Sequence, residues 1–257
     1  MRRTRVLENR ALGGGVFRLR LEAPAGLEGA RPGRFLMSRW GLGCDPLLAR
    51  PFSLHGAGGA WVEVLYRVVG RGTRLLAECE VGEELTWWGP LGRGFDLGVK
   101  RPLLAAGGMG IAPLVYAAAV LAEAGQDPRV VWGVPGLRDW AGVIEAVRGH
   151  LSALGVELIL ASEDGSVGAR GLVTEPLGGL FSAAEAVLAC GPLAMLRAVA
   201  GMCRDSGVAC QVSLEAPMAC GLGVCQGCVL PRAGGGYFRV CREGPVVDAT
   251  VVDWDRL

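Results

Sequence analysis

Four cysteines near the C-terminus constrain what this chain can fold into more than any other feature. Three stand in Cys220-Gly-Leu-Gly-Val-Cys225-Gln-Gly-Cys228, a C-x4-C-x2-C run, and Cys241 supplies a fourth. That spacing suits a [2Fe-2S] cluster, where four thiolates converge on two irons and the loop must wrap tightly around an inorganic core. Gly221, Gly223 and Gly227 let the backbone come close and aim N–H groups at the sulfurs. A zinc site is a competing use of Cys225 and Cys228, but it normally wants a second tight pair, which Cys220 and Cys241 are not. A disulfide framework suits short secreted chains, and this one has 257 residues. A cluster carries single electrons and does nothing else, so the rest of the chain must say where they come from and go.

The length allows two ordinary domains with a small appendage. At 51% hydrophobic residues and a net charge of +1, the chain can bury a core and has no electrostatic bias toward nucleic acid. The basic start Met1-Arg-Arg-Thr-Arg5 has no apolar region after it, so no signal peptide is expected. The longest apolar run, Gly110 to Ala122, is interrupted by Pro113 and is too short to span a membrane. The expected compartment is the reducing cytoplasm. Cys44, Cys79, Cys203 and Cys210 then read as small buried or half-buried hydrophobes.

Three units follow along the chain. Residues 1–98 read as all-β: Val16–Leu21 and Trp61–Val68 alternate with period two, and Gly and Pro clusters separate the runs, as in a small antiparallel barrel. Residues 99–212 alternate strand and helix. Strands are expected at Leu103–Ala106, Arg129–Val134, Val156–Ala161 and Ala186–Ala189, with helices from Pro113 and near Asp139–Leu154 and Leu193–Asp205. This pattern predicts a doubly wound parallel sheet. Residues 213–257 form a loop-rich third unit around the cysteines.

Several motifs carry chemistry. Arg50-Pro-Phe-Ser53 offers a guanidinium for a diphosphate and a hydroxyl for a flavin edge, or is an ordinary strand start. Leu65-Tyr-Arg67 and Gly70-Arg-Gly-Thr73 offer an aromatic face, a second cation and a glycine-hydroxyl turn. Tyr66 could equally be barrel packing and Arg67 a solvated charge. Gly107-Gly-Met-Gly-Ile-Ala-Pro113 departs from G-x-G-x-x-G, because the third glycine position holds Pro113. A glycine turn opening a helix at Pro113 would still face backbone donors toward a dinucleotide diphosphate, or would be a plain strand-to-helix turn. Cys190-Gly-Pro192 ends the fourth strand, where a small thiol would fit beside a nicotinamide, or is another such turn.

Taken in order, a β-barrel with R-P-x-S, then GG-x-G-x-A-P, CGP and a C-terminal cysteine cluster, the chain resembles the ferredoxin reductase superfamily. Gly89-Pro-Leu-Gly-Arg-Gly-Phe95, Tyr66-Arg-Val-Val-Gly-Arg-Gly-Thr73, the Cys220–Cys228 run and Val240-Cys-Arg-Glu-Gly-Pro-Val246 narrow the likeness. They are similar to the electron-transfer subunits of type B, NAD-dependent dihydroorotate dehydrogenase, over essentially the whole chain. The resemblance implies an α+β multidomain, ferredoxin-reductase-like fold. It implies FAD on Arg50, Pro51, Phe52, Ser53, Leu65, Tyr66, Arg67, Gly72 and Thr73, and the [2Fe-2S] cluster on Cys220, Cys225, Cys228 and Cys241. NAD would dock over Gly107, Gly108 and Gly110 and over Cys190, Gly191 and Pro192. The implied partner is an FMN-containing barrel subunit that oxidises dihydroorotate to orotate in pyrimidine synthesis, in a two-plus-two assembly. No residue of this chain need act on the pyrimidine. Phe52 fills a position that is often aliphatic in the family. Two rivals stand beside this reading: a related subunit coupling NAD(P)H to ferredoxin, sulfur or hydrogenase chemistry, and a flavin or cluster scaffold that binds no nicotinamide. NAD against NADP is open, since Arg138 suits a 2′-phosphate and its neighbour Asp139 does not.

Overall fold

The computed structural model describes residues 1–23, 29–40 and 47–257. Cys44 lies outside the described residues. The first unit is a closed barrel of six antiparallel strands in the order β1-β2-β5-β4-β3-β6. They are β1 (Arg2–Gly13), β2 (Val16–Glu22), β3 (Phe35–Arg39), β4 (Arg50–Gly58), β5 (Trp61–Arg67) and β6 (Glu84–Leu91), with a short helix α1 (Arg71–Ala77) after β5. Period-two alternation sends Leu19, Leu54, Val64, Tyr66 and Trp87 to the barrel core. Closure leaves no open edge in this sheet.

The second unit is built on a sheet in the order β10-β9-β8-β7-β11-β12-β15. It begins with β7 (Pro102–Gly107), α2 (Ile111–Glu123), β8 (Arg129–Val134), α3 (Ala141–Ala153), β9 (Glu157–Ser162), β10 (Ala169–Arg170) and α4 (Thr174–Gly178). It continues with β11 (Ala186–Cys190), α5 (Leu193–Ser206) and β12 (Ala209–Ser213). β7 and β11 are buried at every position, as parallel strands covered on both faces must be. Leu104 and Ala106 of β7 pack with α2 and α3 on one face. Leu103 and Ala105 pack with α4 and α5 on the other. Chain direction across the sheet reverses between β7 and β11, and ligands of such sheets bind in the crevice at that point.

The C-terminal segment holds a small hairpin, β13 (Val229–Pro231) with β14 (Tyr237–Arg239), and then β15 (Val246–Asp248). β15 joins the main sheet antiparallel to β12, pairing Val212 with Val247. Cys228, Phe238, Val240 and Cys241 belong to the same apolar cluster as α5, β12 and Met37 of the barrel. The segment therefore has no core of its own, as its short length requires.

Side chains fasten the barrel to the second unit, His55 among them. Nδ1 of His55, on β4, lies 2.9 Å from the carbonyl oxygen of Ala112 at the start of α2. A carbonyl can only accept, so Nδ1 carries the proton. Burial pushes the ring's pKa below its ordinary value, against the pull of Glu63, and so favours this neutral form. No helix among the described residues is long and apolar enough to cross a membrane.

Candidate functional site

Arg50, Pro51, Phe52 and Ser53 open β4, and β5 ends with Leu65, Tyr66 and Arg67. All seven line one cavity of about 520 Å³, together with Thr73, Met109, Ala112 and the segment Ser213–Met218. Arg50 donates to the Leu48 carbonyl and crosses above Gly72, where an added Cβ would lie 2.9 Å from its Nε. Gly72 thus gives the guanidinium room to reach the cavity. Tyr66 is both wall and packing. Its ring stacks on Phe17 at 5.4 Å, and its hydroxyl donates to Asn9 Oδ1 at 3.0 Å. Thr73 is largely spent locally: its Oγ1 accepts from the N–H groups of Val69 and Gly70 and donates to the Gly70 carbonyl, so the expected turn is the start of α1.

A second cavity, about 680 Å³, opens at the C-terminal ends of the parallel strands. Gly107, Gly108, Gly110, Gly191 and Pro192 line it, with Trp140, Glu163 and Gly171–Thr174 farther out. The glycine turn differs from its expected form. Gly108–Gly110 is already a 3-10 turn, and α2 starts at Ile111, so Pro113 sits inside the first helical turn, where its missing N–H removes no bond. Gly110 also has a packing role, since a Cβ there would lie 2.1 Å from the Cys190 carbonyl oxygen. Cys190 itself is only 2% exposed and faces the core beside Ile111 and Leu188. Burial above all raises its thiol pKa to about 12.

The two cavities share Arg67, Met109, Leu214 and Glu215. Arg67 is also held over the Trp140 ring at 5.6 Å, so it is no solvated charge. Glu215 was not legible in the motifs. It stands two residues past the buried end of β12 at Ser213, and burial raises its carboxyl pKa. The available signal is its place as the first acid after an apolar strand at the ligand-binding edge of the sheet.

The cysteines follow immediately. Cys220 and Cys225 lie close enough to perturb each other's thiols, and so do Cys228 and Cys241, so the four fall in two neighbouring pairs. Two neighbouring pairs of cysteines suit the two irons of a [2Fe-2S] cluster, each iron taking two thiolates. Backbone N–H groups point inward, Leu222 N to Cys220 Sγ at 3.3 Å and Cys241 N to Cys228 Sγ at 3.4 Å. Such donors, first that of Cys225, bring the Cys220 thiol down to about 6. Burial pushes Cys241 up to about 12. The loop is seated on the barrel. Trp88 Nε1 donates to the Cys220 carbonyl at 3.2 Å, and Gly221, at φ +69°, approaches Met37 so closely that a Cβ would lie 2.5 Å from its Cγ. Arg239 clamps the far side, bonded to the Gly223 carbonyl and to Glu243. Pro217 and Met218 turn inward to line the smaller cavity, whereas Leu222 and Val224 are 51% and 78% exposed.

The comparisons agree with this geometry. Residues 215–253 match the family model for the iron-sulfur cluster binding domain of dihydroorotate dehydrogenase B. The electron transfer subunit of dihydroorotate dehydrogenase B (NAD(+)) from Caldanaerobacter subterraneus is 36% identical over 95% of either chain. A homolog of that subunit from Aquifex aeolicus is 37% identical over 94% of either. Among solved structures, a chain of an NADH-dependent reduced ferredoxin-NADP oxidoreductase, described in work on flavin-based electron bifurcation, superposes with a TM-score of 0.86 at 26% identity. It covers 99% of this chain and 91% of its own. A flavohem-like FAD/NAD binding domain from Vibrio cholerae, at TM-score 0.68 and 17% identity over 84% of this chain and 99% of its own, shares the reductase fold. Joined cavities, paired thiols and relatives matched from end to end lead to one assignment: the chain belongs to the family of electron transfer subunits of NAD-dependent dihydroorotate dehydrogenase B.

Proposed function

We propose that this chain carries electrons from a partner subunit that oxidises dihydroorotate to NAD+, in the cytoplasm, as part of pyrimidine biosynthesis. The partner is an FMN-containing catalytic subunit, assembled with this chain two plus two. Residues 1–98, 99–212 and 213–257 serve as the flavin, nicotinamide and cluster units. When bound, the cluster supplies one-electron transfer, and FAD supplies the exchange between single electrons and the hydride of a nicotinamide.

The observation that carries this reading is continuity. The smaller cavity shares Arg67, Met109, Leu214 and Glu215 with the larger, and its wall at Ala216–Met218 runs within two residues of Cys220. Arg50 and Arg67 supply positive charge for the flavin diphosphate, Phe52, Leu65 and Tyr66 an apolar wall, and Ser53 a hydroxyl. Gly107, Gly108, Gly110, Gly191 and Pro192 let the nicotinamide dinucleotide approach the sheet edge. Cys220, Cys225, Cys228 and Cys241 hold the cluster, and their backbone donors offset the charge of the thiolates. Removing the guanidinium with Arg50→Ala weakens FAD binding by roughly 1.5–3 kcal/mol, read as flavin lost on dilution. Unchanged occupancy would remove Arg50 from the site.

The deciding experiment is coexpression with candidate FMN subunits, pull-down, and dihydroorotate-driven reduction of NAD+. Leu222 and Val224, outward on the cluster loop, are the contact residues of this reading. Leu222→Asp is expected to weaken capture of the FMN subunit and slow dihydroorotate-to-NAD+ turnover, while NADH oxidation by an artificial flavin acceptor persists. Normal capture by that variant would place the interface elsewhere. The full-length likeness to the ferredoxin-NADP oxidoreductase chain supports a second reading, in which the partner is a different flavoprotein. Failure to bind any FMN dihydroorotate subunit would favour it.

A further inference from the structure

The four cysteines stand on two segments, the loop Cys220–Cys228 and the turn at Cys241, and Arg239 joins them. Arg239 ends β14, where pairing with Val229 fixes its backbone. Its Nη1 donates to the Gly223 carbonyl, midway between Cys220 and Cys225, at 3.0 Å. Its Nε donates to Glu243 Oε2 at 3.1 Å and its Nη2 to Glu243 Oε1, the fork that a guanidinium makes with a carboxylate. Glu243 Oε2 also accepts from the Arg239 backbone N–H at 2.8 Å, and Glu243 N donates to the Arg239 carbonyl at 2.9 Å. The turn that carries Cys241 is thus closed by side chain and by backbone, and it aims the guanidinium at the other segment.

A planar trans peptide puts its carbonyl and its N–H on opposite sides. With the Gly223 carbonyl drawn outward to Arg239, the Val224 N–H faces inward, close enough to act on the Cys220 sulfur. The Gly223 N–H acts likewise on Cys241, and Leu222 N reaches Cys220 Sγ at 3.3 Å. Gly223 stands at φ +79°, in the left-handed region open to glycine, and Val224 is largely exposed, so side-chain packing does not hold this peptide. The hold comes from Arg239, outside the loop. Arg242 is a second cation at the same place. A Cβ on Gly223 would lie 2.8 Å from its Cδ, but Arg242 is exposed and the bond at the Gly223 carbonyl is that of Arg239.

We propose that Arg239 is a positioning residue of the cluster site: it holds the Gly223–Val224 peptide with its N–H toward the cysteine sulfurs, and so raises the cluster's reduction potential and slows its loss. Hydrogen bonds to the sulfurs favour the reduced state, which places more negative charge on them. A bare positive charge beside the sulfurs would act in the same direction. The two causes separate because lysine keeps the charge and lacks the fork that grips Glu243 and Gly223 together. The inference rests on the proposed ligand set Cys220, Cys225, Cys228 and Cys241.

The test compares the wild type, Arg239→Lys and Arg242→Met, each loaded with FAD and cluster. A redox titration followed by EPR gives the potential, and bleaching by an iron chelator gives the rate of cluster loss. In Arg239→Lys the reduced-to-oxidised ratio at a fixed potential should fall about tenfold, about 59 mV for a one-electron carrier. Cluster loss should be about tenfold faster. Pulsed EPR of the reduced cluster after exchange into D2O should show weaker coupling to amide deuterons. Arg242→Met should leave that coupling and the rate of loss unchanged, and shift the potential only at low salt, as a screened surface charge does. Cluster loss from Arg239→Lys with FAD fully retained would support the hold. Loss of cluster and flavin together would mark a general folding role and overturn the proposal. Wild-type potential and amide coupling in Arg239→Lys would also overturn it, with the ligand set intact. A full cluster spectrum in Cys225→Ser would remove the ligand set, and the inference with it.

Discussion

Cys225→Ser abolishes the visible absorption of the cluster and leaves bound FAD in place. Cys225 is the exposed cysteine of the four, so the change creates no cavity in the core. A serine hydroxyl does not ionise near neutral pH and is a poor substitute for a thiolate. Changes in the shell outside a metal's ligands already cost 10–100-fold. Loss of a ligand should therefore lower dihydroorotate-to-NAD+ turnover by more than about a hundredfold. NADH oxidation by an acceptor that takes electrons from the flavin should continue, because none of the smaller cavity's lining residues changes. A complete cluster spectrum in this variant would overturn the ligand set.

The second large effect concerns stability. Gly110 reads in the sequence as a glycine kept small for a diphosphate, yet its missing side chain is first required by the chain itself. A Cβ at this position would lie 2.1 Å from the Cys190 carbonyl oxygen and 2.7 Å from the Gly191 nitrogen. Backbone cannot step aside as a flexible side chain can. Gly110→Ala is thus expected to destabilise by about 1–3 kcal/mol or more, and Gly110→Val by more still. For a chain of this size the alanine variant should melt roughly 2–12 °C lower, as followed by circular dichroism. An unchanged melting temperature with lost NADH-dependent flavin reduction would return Gly110 to a purely ligand-binding role.

These two residues mark how far the sequence could be read. Cys225 was legible because metal chemistry fixes residue type and spacing together. The central strands were legible because burial on both faces forces unbroken apolar runs such as Leu103–Ala106. The strands that close the barrel were harder: β1 carries exposed Arg2, Arg3, Arg5 and Arg10, β6 begins with exposed Glu84, and nothing local says with which strand they pair. β15 was invisible, since three residues carry no period and only their partner β12 makes them a strand. In the candidate site, R-P-x-S and L-Y-R stood out because they are contiguous, and they line one cavity. Glu163, Glu215 and Asn9 escaped because each is a lone polar residue whose meaning comes from elements far away in the chain. Gly110 and Thr73 stood out by size and by hydroxyl, but their first obligations are to the backbone beside them.

The antiparallel contact of β15 with β12 has a consequence for how this protein could be shortened or recombined. Without its last residues, β12 would present an open row of unpaired amides and carbonyls next to the uncovered apolar surface of α5. Such a ladder is a template for another chain, so a reductase core lacking the cysteine segment would tend to self-associate. The metal-binding appendage is therefore also the guard of the sheet's edge. A lineage that dispensed with the metal would still have to keep the strand, or find some other way to blunt that edge.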